Sequence, residues 1–211
     1  MDSTQKVAII TVGSRGIGAG LVAAYRKLGY AVVATSRSVD SSDPELLAVP
    51  GDLSRPGTDA GIVEQALNRF GRIDTLVNNA GGQYAAPAEQ ITGKGWRAVH
   101  RLAVDAAWAV TREVAVRAMI PQRSGAMFFM AFSPRRGMAS MVHAASARAA
   151  LENLAAGLAL EWSRFGSGPC ASRPGRSRPR PCCGATQKRT VPVGRPRCRF
   201  AGSAPPTKSP G

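Results

Sequence analysis

The strongest constraint on the fold is a short apolar, β-branched segment that runs directly into a glycine-rich turn and then into a helix. Residues 6–12 have the composition of a strand that is buried on both faces of a sheet. In residues 16–28 apolar side chains recur on one helical face, and Gly29 predicts the end of that helix. A strand followed at once by a helix is typical of parallel α/β sheets.

The alternation of strands and helices continues as far as residue 166. Further strands are predicted at 31–36, 47–49, 73–78 and 126–132, and further helices at 58–70, 94–120 and 142–164. Helices that connect parallel strands by right-handed crossovers pack on the faces of the sheet. We therefore expect an α/β fold with a doubly wound parallel sheet in three α/β/α layers. Ligands of such sheets bind at the carboxyl ends of the strands.

The last 45 residues differ in composition from everything before them. Residues 167–211 hold ten of the 28 Lys and Arg, nine of the 15 prolines, all four cysteines and no Asp or Glu. They carry +10 of the formal net charge of +15. Proline blocks regular structure, and apolar residues are scarce in this segment. We expect one folded domain at 1–166 and a basic, disordered tail at 167–211, with no strand after the last long helix.

Composition argues against several classes of function. Phe200 is the only aromatic residue of the basic tail, whereas proteins that bind single-stranded nucleic acid interleave stacking rings with their cations. A basic nucleic-acid-binding protein is therefore the least favoured of the candidate functions. The four cysteines lack paired metal-ligand spacing, so we expect no metal site. No run of about 18 apolar residues occurs, so we expect no membrane span. The N-terminal apolar run is too short for a signal peptide, and we expect a soluble, cytoplasmic protein.

The turn after the first strand has the sequence of a dinucleotide-binding loop. Glycines there let a backbone approach a pyrophosphate closely, and the free amides at the start of the helix favour an anion. A second short motif, NNAG at 78–81, follows the fourth predicted strand. The candidate cofactor-binding residues of the turn are Thr11, Gly13, Ser14, Arg15, Gly16, Ile17 and Gly18.

These two motifs and their spacing resemble the short-chain dehydrogenase/reductase family, whose Rossmann-like domain binds a nicotinamide nucleotide. The resemblance covers about residues 5–166, and the segments 81–96 and 143–162 look most like 2,4-dienoyl-CoA and trans-2-enoyl-CoA reductases. Family members continue with another strand, a substrate-covering helix and a last core strand. Residues 167–187 supply no apolar run of that kind, and their composition suggests a shifted reading frame or a truncation.

The resemblance implies NADP(H) as the cofactor. Arg15 in the turn and Arg37 after the second strand fall where relatives that prefer NADP place basic residues, although both fit ordinary surface charges as well. Asp52, with Leu53, matches the adenine-contacting position, and a turn or capping role fits Asp52 equally well. The loop formed by Asn79, Ala80 and Gly81 matches the family's nucleotide-lining segment.

One residue of the turn departs from the family pattern. Val12 stands where the family usually has glycine. If that position requires a positive φ, a β-branched residue there is costly, and nucleotide affinity should suffer.

The catalytic positions depart further from the family. Arg148 stands where the family has Lys, Ala144 where it has Tyr, Ala103 where it has Asn, and Ala131 or Phe132 where it has Ser. Arg stays protonated and relays protons poorly. Carbonyl/alcohol interconversion through a Tyr is therefore not expected.

Two functions remain open at this point. Dienoyl-CoA reductases also lack the Tyr, and a site of that kind would use Arg148 for cofactor and charge, with His143 or Ser133 as hydrogen-bond or proton donor to an acyl-CoA thioester. His143 fits equally well as a helix-start histidine, and Ser133 as a loop serine. The alternative is a catalytically inactive nucleotide-binding or scaffold protein of the same fold. The resemblance also implies a homodimer or homotetramer that assembles through the two long helices.

Overall fold

In the computed structural model of the protein, six parallel strands form one sheet in the order β3-β2-β1-β4-β5-β6. The structure describes residues 5–39, 45–132 and 137–165, and the backbone of residues 167–172. The strands are β1 (Val7–Thr11), β2 (Ala31–Ser36), β3 (Leu46–Pro50), β4 (Thr75–Asn78), β5 (Gly125–Met130) and β6 (Ser167–Ser172). The order runs outward from β1 in both directions, which is the pattern of a doubly wound sheet.

The helices connect these strands as the alternating sequence pattern predicts. They are α1 (Gly16–Lys27), α2 (Thr58–Phe70), α3 (Gly93–His100), α4 (Ala106–Val114), α5 (Ile120–Gln122) and α6 (Val142–Trp162). Two π-helical turns, Arg101–Asp105 and Ala115–Met119, join α3 to α4 and α4 to α5. The helix predicted at 94–120 is therefore continuous in direction but is interrupted twice in its hydrogen-bonding pattern.

The sheet is covered on both faces, which gives the predicted three layers. On one face, β1 residues such as Ile9 pack in a large cluster with α2, α4 and α6, represented by Ile62, Val110 and Leu151. On the other face, Ile10 packs with side chains of α1. Every residue of β1 and β2 is buried, because successive side chains point to opposite, covered faces. The predicted Rossmann-like parallel fold is confirmed.

The prediction that no strand follows the last long helix is wrong. β6 pairs in parallel with β5 over six residues, from Gly125 opposite Ser167 to Met130 opposite Ser172. Ladder hydrogen bonds join backbone groups, so a segment without an apolar run can still pair at the end of a sheet, where proline is also tolerated. β6 lies on the tail side of the boundary predicted at residue 166. Residues 173–211 lie outside the described part of the chain.

Candidate functional site

Two adjoining clefts lie at the carboxyl ends of the strands, where a doubly wound sheet binds its ligands. The first has a volume of about 720 Å³, and its lining includes six residues predicted to bind the cofactor: Ser14, Arg15, Arg37, Asp52, Leu53 and Gly81. The second has a volume of about 480 Å³, and its lining includes four: Ile17, Asn79, Gly81 and Arg148. Val12 and Gly81 line both clefts, so the two form a continuous site.

The glycine turn has the strained backbone that its sequence suggested. Val12 has φ 55°, in the left-handed region where a β-branched residue is rare, and Gly16 has φ 56°. Gly18 packs so closely under the turn that an added Cβ would collide with the carbonyl oxygen of Val12. The Cβ of an alanine at Gly13 would lie 2.9 Å from the Cβ of Ala34 on β2. The glycines at 13 and 18 therefore allow close packing, and only Gly16 relieves the strain of a positive φ.

The start of α1, beside this turn, leaves its first backbone amides without a side-chain cap. The helix begins at Gly16, its N-cap residue Arg15 makes no side-chain capping hydrogen bond, and its first turn holds no acidic residue. Uncapped amides at a helix N-terminus carry a partial positive charge. The backbone geometry therefore fits a pyrophosphate group at this place.

Thr11 and Asn79 tie the ends of β1 and β4 together beneath the clefts. The Thr11 hydroxyl accepts hydrogen bonds from the backbone N–H groups of Asn79 and Ala80, each 2.9 Å long, and donates to the carbonyl oxygen of Val77 at 3.3 Å. The Asn79 side-chain amide donates to the carbonyl oxygens of Thr11 at 3.1 Å and Val12 at 3.3 Å. Thr11 and Ala80 are buried and line neither cleft, so they act on the site by holding its floor.

Two further hydrogen-bonded groups shape the first cleft. The Ser36 hydroxyl, at the end of β2, donates to the Ser14 hydroxyl at 2.9 Å and so fixes the turn to the next strand. The carboxylate of Asp52 accepts from the backbone N–H of Ser54 at 3.0 Å and from its hydroxyl at 2.7 Å. These two hydrogen bonds lower the pKa of Asp52, with smaller contributions from Arg55 and Arg37. The turn role considered for Asp52 is therefore present, and its carboxylate also lines the cleft.

Arg148 is held at the floor of the second cleft by two contacts. Its Nη1 donates to the carbonyl oxygen of Met130 at 2.5 Å. Its guanidinium also lies directly against Gly81, so that a Cβ on that residue would overlap Nη2. Burial lowers the pKa of the Arg148 guanidinium from its ordinary value. An arginine nevertheless stays protonated in proteins, so the second cleft contains a permanent positive charge.

His143 does not lie in the lining of either cleft. Its side chain is fully buried, and neither ring nitrogen has a hydrogen-bond partner among the described residues. Its ring packs against that of Tyr84, with centroids 4.4 Å apart. Arg148 and His143 both lie on α6, but only Arg148 reaches the candidate site. The third predicted catalytic residue, Ser133, lies outside the described residues.

A family model for the short chain dehydrogenases matches residues 6–167, which is most of the chain. The chain belongs to the short-chain dehydrogenase family. It is therefore a member of an oxidoreductase family with a Rossmann-like nucleotide-binding fold. The resemblance inferred from the turn and the NNAG motif is confirmed.

Named relatives of this short-chain dehydrogenase include two dienoyl-CoA reductases. A probable 2,4-dienoyl-CoA reductase from Bacillus subtilis is 30% identical over 81% of this chain and 72% of its own length. A peroxisomal 2,4-dienoyl-CoA reductase from Pongo abelii is also 30% identical, and the match spans 75% of this chain but only 58% of that protein. A crystal structure of a metagenomic short-chain oxidoreductase in complex with NADP has a TM-score of 0.75 at 26% identity, covering 83% of this chain and 84% of that one.

Three of the four positions that differ from the usual short-chain dehydrogenase pattern are buried alanines. Ala103 and Ala144 belong to one buried apolar cluster with Val99 and Ala147, and Ala131 is also buried. No hydroxyl, amide or amine occupies these positions. Among the described residues, Arg148 is the only one of the four departures that brings a polar group to the clefts.

Several residues of the site were not singled out from the sequence. They include Arg101, which opens the first π-helical turn and lines the first cleft together with Ala98 and Leu102. Positions 98, 101 and 102 lie three and four residues apart and so share one helical face. That spacing could have grouped the three residues from the sequence, but it does not indicate whether their helical face points toward the cleft. Gln83 and Met130 line the second cleft, and no motif marks them.

The described residues form neither a membrane-spanning helix nor a cluster of metal ligands. In the described parts of the chain, no helix is long and apolar enough to span a bilayer. Within the same ranges, no three His, Cys, Asp or Glu side chains cluster as metal ligands would.

Proposed function

We propose that this short-chain dehydrogenase binds NADP(H) across the two clefts and transfers hydride between it and an enoyl-CoA-like substrate. The preference for the phosphorylated cofactor rests on Arg15 and Arg37, which line the first cleft beside the carboxyl end of β2. β2 ends at Ser36 and is followed by Arg37 and Ser38, without the carboxylate that would hold the ribose hydroxyls of NAD. The uncapped amides of α1 and the closely packed Gly18 support pyrophosphate binding at the turn.

The observation that carries the substrate class is the position of Arg148. It is the only charged residue among the described residues that line the second cleft. Bound NADP(H) would supply or accept a hydride at its nicotinamide ring. Hydride addition to a carbon conjugated with a thioester places negative charge on the thioester oxygen, and a fixed cation in a partly buried site stabilises that charge. The dienoyl-CoA reductases among the relatives support this substrate class.

Arg148 alone does not provide the proton that completes such a reduction. His143 was predicted as a donor, but its burial away from both clefts gives that role no support. Ser133 stays a predicted donor. Water that enters the second cleft is a further source of the proton, and the enolate can take it up at carbon.

A second candidate is a nucleotide-binding protein without catalysis. The burial of Ala103, Ala131 and Ala144 in place of polar groups favours it. The strained Val12, a residue that lines both clefts, also favours weak nucleotide binding. Binding without turnover is the result that distinguishes this candidate from the reductase.

Assembly into a dimer or tetramer through the long helices, and a cytoplasmic location, belong to the same proposal. The described helices carry exposed apolar side chains, with Trp108 of α4 43% exposed, Val116 in the following π turn 52% and Leu160 of α6 82%. Exposed apolar patches of this kind often mark contacts between subunits. Light scattering on the full chain at several concentrations measures the subunit number, and a strict monomer would contradict this part of the proposal.

The test of function is a turnover assay with the full chain. NADPH oxidation is followed with trans-2-enoyl-CoA, with 2,4-dienoyl-CoA and with a simple ketone. The proposal expects turnover of a conjugated thioester and none of the ketone. R148M should abolish that turnover, and R148K, which keeps the charge without the fork, should retain part of it. Saturable NADPH binding with no turnover of any of these compounds would favour the non-catalytic candidate.

A further inference from the structure

Arg101 lines the first cleft from the helical segment that follows β4 in the chain. It is the first residue of the π-helical turn after α3, and it lines the cleft beside Ala98 and Leu102. Arg15, from the turn after β1, and Arg37, from the loop after β2, line the same cleft. Three arginines from three separate segments therefore line one cavity.

The charge of this cleft is strongly unbalanced. Among the described lining residues, Asp52 is the only acid that faces these three arginines. Its carboxylate is already engaged by Ser54. Within the described part of the chain, no hydrogen bond or ion pair occupies the guanidinium of Arg101. Its side chain is exposed and free to meet a ligand. The cleft therefore suits a ligand with more than the two charges of a pyrophosphate.

We propose that Arg101 is a third residue that selects NADP(H) over NAD(H), acting together with Arg15 and Arg37. This inference rests on the proposed nucleotide function of the cleft. The 2′-phosphate adds about 1.5 to 2 negative charges to the dinucleotide, so each cation around the cavity stabilises NADP(H) more than NAD(H). Arg101 would add its positive charge from the π-helical turn after α3, independently of the glycine turn.

Direct binding measurements on the full chain test this inference. Titrations with NADPH and with NADH, followed by nucleotide fluorescence, give the ratio of the two dissociation constants. R101Q should weaken NADPH binding about three- to tenfold and NADH binding less than twofold, since one charge across a solvated cleft changes affinity by a modest factor. R101K keeps the charge and should retain most of the preference.

The matched control is R97Q. Arg97 is exposed on α3, one turn before Arg101, and lines neither cleft. The R97Q variant also removes one positive charge, and it should leave the affinities for NADPH and NADH unchanged. An unchanged thermal midpoint of R101Q excludes unfolding as the cause.

The possible outcomes separate this inference from the proposed function. If the wild-type chain binds neither nucleotide saturably, both the proposed function and the role of Arg101 are overturned. If it binds NADPH and R101Q weakens the two nucleotides equally, or weakens neither, only the role of Arg101 is overturned. A larger loss in R97Q than in R101Q would also overturn it. The predicted preference should shrink at high salt in the wild type and less so in R101Q, because screening weakens exposed charges.

Discussion

The guanidinium of Arg148 lies against Gly81, at a place where any side chain on residue 81 would overlap it. Through this contact, and through its hydrogen bond to Met130, Arg148 links α6 to the ends of β4 and β5. The cation is therefore fixed at the junction of the two clefts, because Gly81 lines both. The arginine that replaces the usual lysine thus has a defined position. Gly81 leaves room for its guanidinium, and the carbonyl oxygen of Met130 accepts its hydrogen bond.

Gly81→Ala should displace the Arg148 guanidinium and weaken NADPH binding. The overlapped atoms are the far end of a flexible side chain, so the loss of folding stability should stay within about 1 kcal/mol. Gly61→Ala on α2 is the control, because Gly61 lines neither cleft and its Cβ would meet no heavy atom within 4 Å. Isothermal titration with NADPH measures the effect. Equal affinities of G81A and wild type would contradict the placement of Arg148.

Gly18→Ala should destabilise the fold by about 2–4 kcal/mol. Its Cβ would overlap the carbonyl oxygen of Val12, which is backbone and cannot move without deforming the turn. Gly20→Ala lies on the same helix with no heavy atom within 4 Å, and it should stabilise the protein by up to about 1 kcal/mol. Urea unfolding of the two variants measures both values. Similar effects in the two would show that the turn is looser than described.

Val12→Gly should stabilise the protein by about 1 kcal/mol and tighten NADPH binding. A glycine relieves the cost of φ 55°, which is partly offset by the greater freedom of the unfolded chain. It also removes a side chain that lines both clefts. Val12→Ala is the control, because alanine shortens the side chain but keeps the strained backbone. If V12A is as stable as V12G in urea, backbone strain is not the cause.

The pH dependence of stability should contain a contribution from Asp52. Hydrogen bonds from Ser54 lower the pKa of this carboxyl in the folded state. Its stabilising effect is therefore present above the unfolded pKa of about 4 and is lost as the pH falls through the lower folded value. Asp52→Asn keeps an acceptor oxygen but does not titrate. The stability difference between wild type and D52N should be below about 1 kcal/mol at pH 7. It should shrink further in acid, whereas a difference that grows below pH 4 would contradict the assignment.

The parts of the fold that were predictable from sequence are those with local causes. β2 and α2 have the predicted bounds, because apolar runs, helical periodicity and glycines specify them within the segment itself. The strain at Val12 was foreseen for a similar reason, since the turn type demands it.

The parts that were missed depend on contacts between distant segments. β6 forms because a neighbouring strand offers backbone partners, which a search for apolar runs does not detect. The position of Arg101 in the first cleft depends on the direction of a helix against the sheet. The burial of His143 and its contact with Tyr84 depend likewise on how α6 packs on the loop after β4. Sequence spacing alone placed His143 near the chemistry, but packing turned it away from the clefts.

A fluorescence titration of the full chain with NADPH and with NADH shows whether the two clefts bind a dinucleotide. We expect saturable binding of NADPH in the micromolar to millimolar range common for such ligands, weaker binding of NADH, and tighter NADPH binding in V12G than in wild type. If neither nucleotide binds saturably to wild type or to V12G, the two clefts do not form a dinucleotide site.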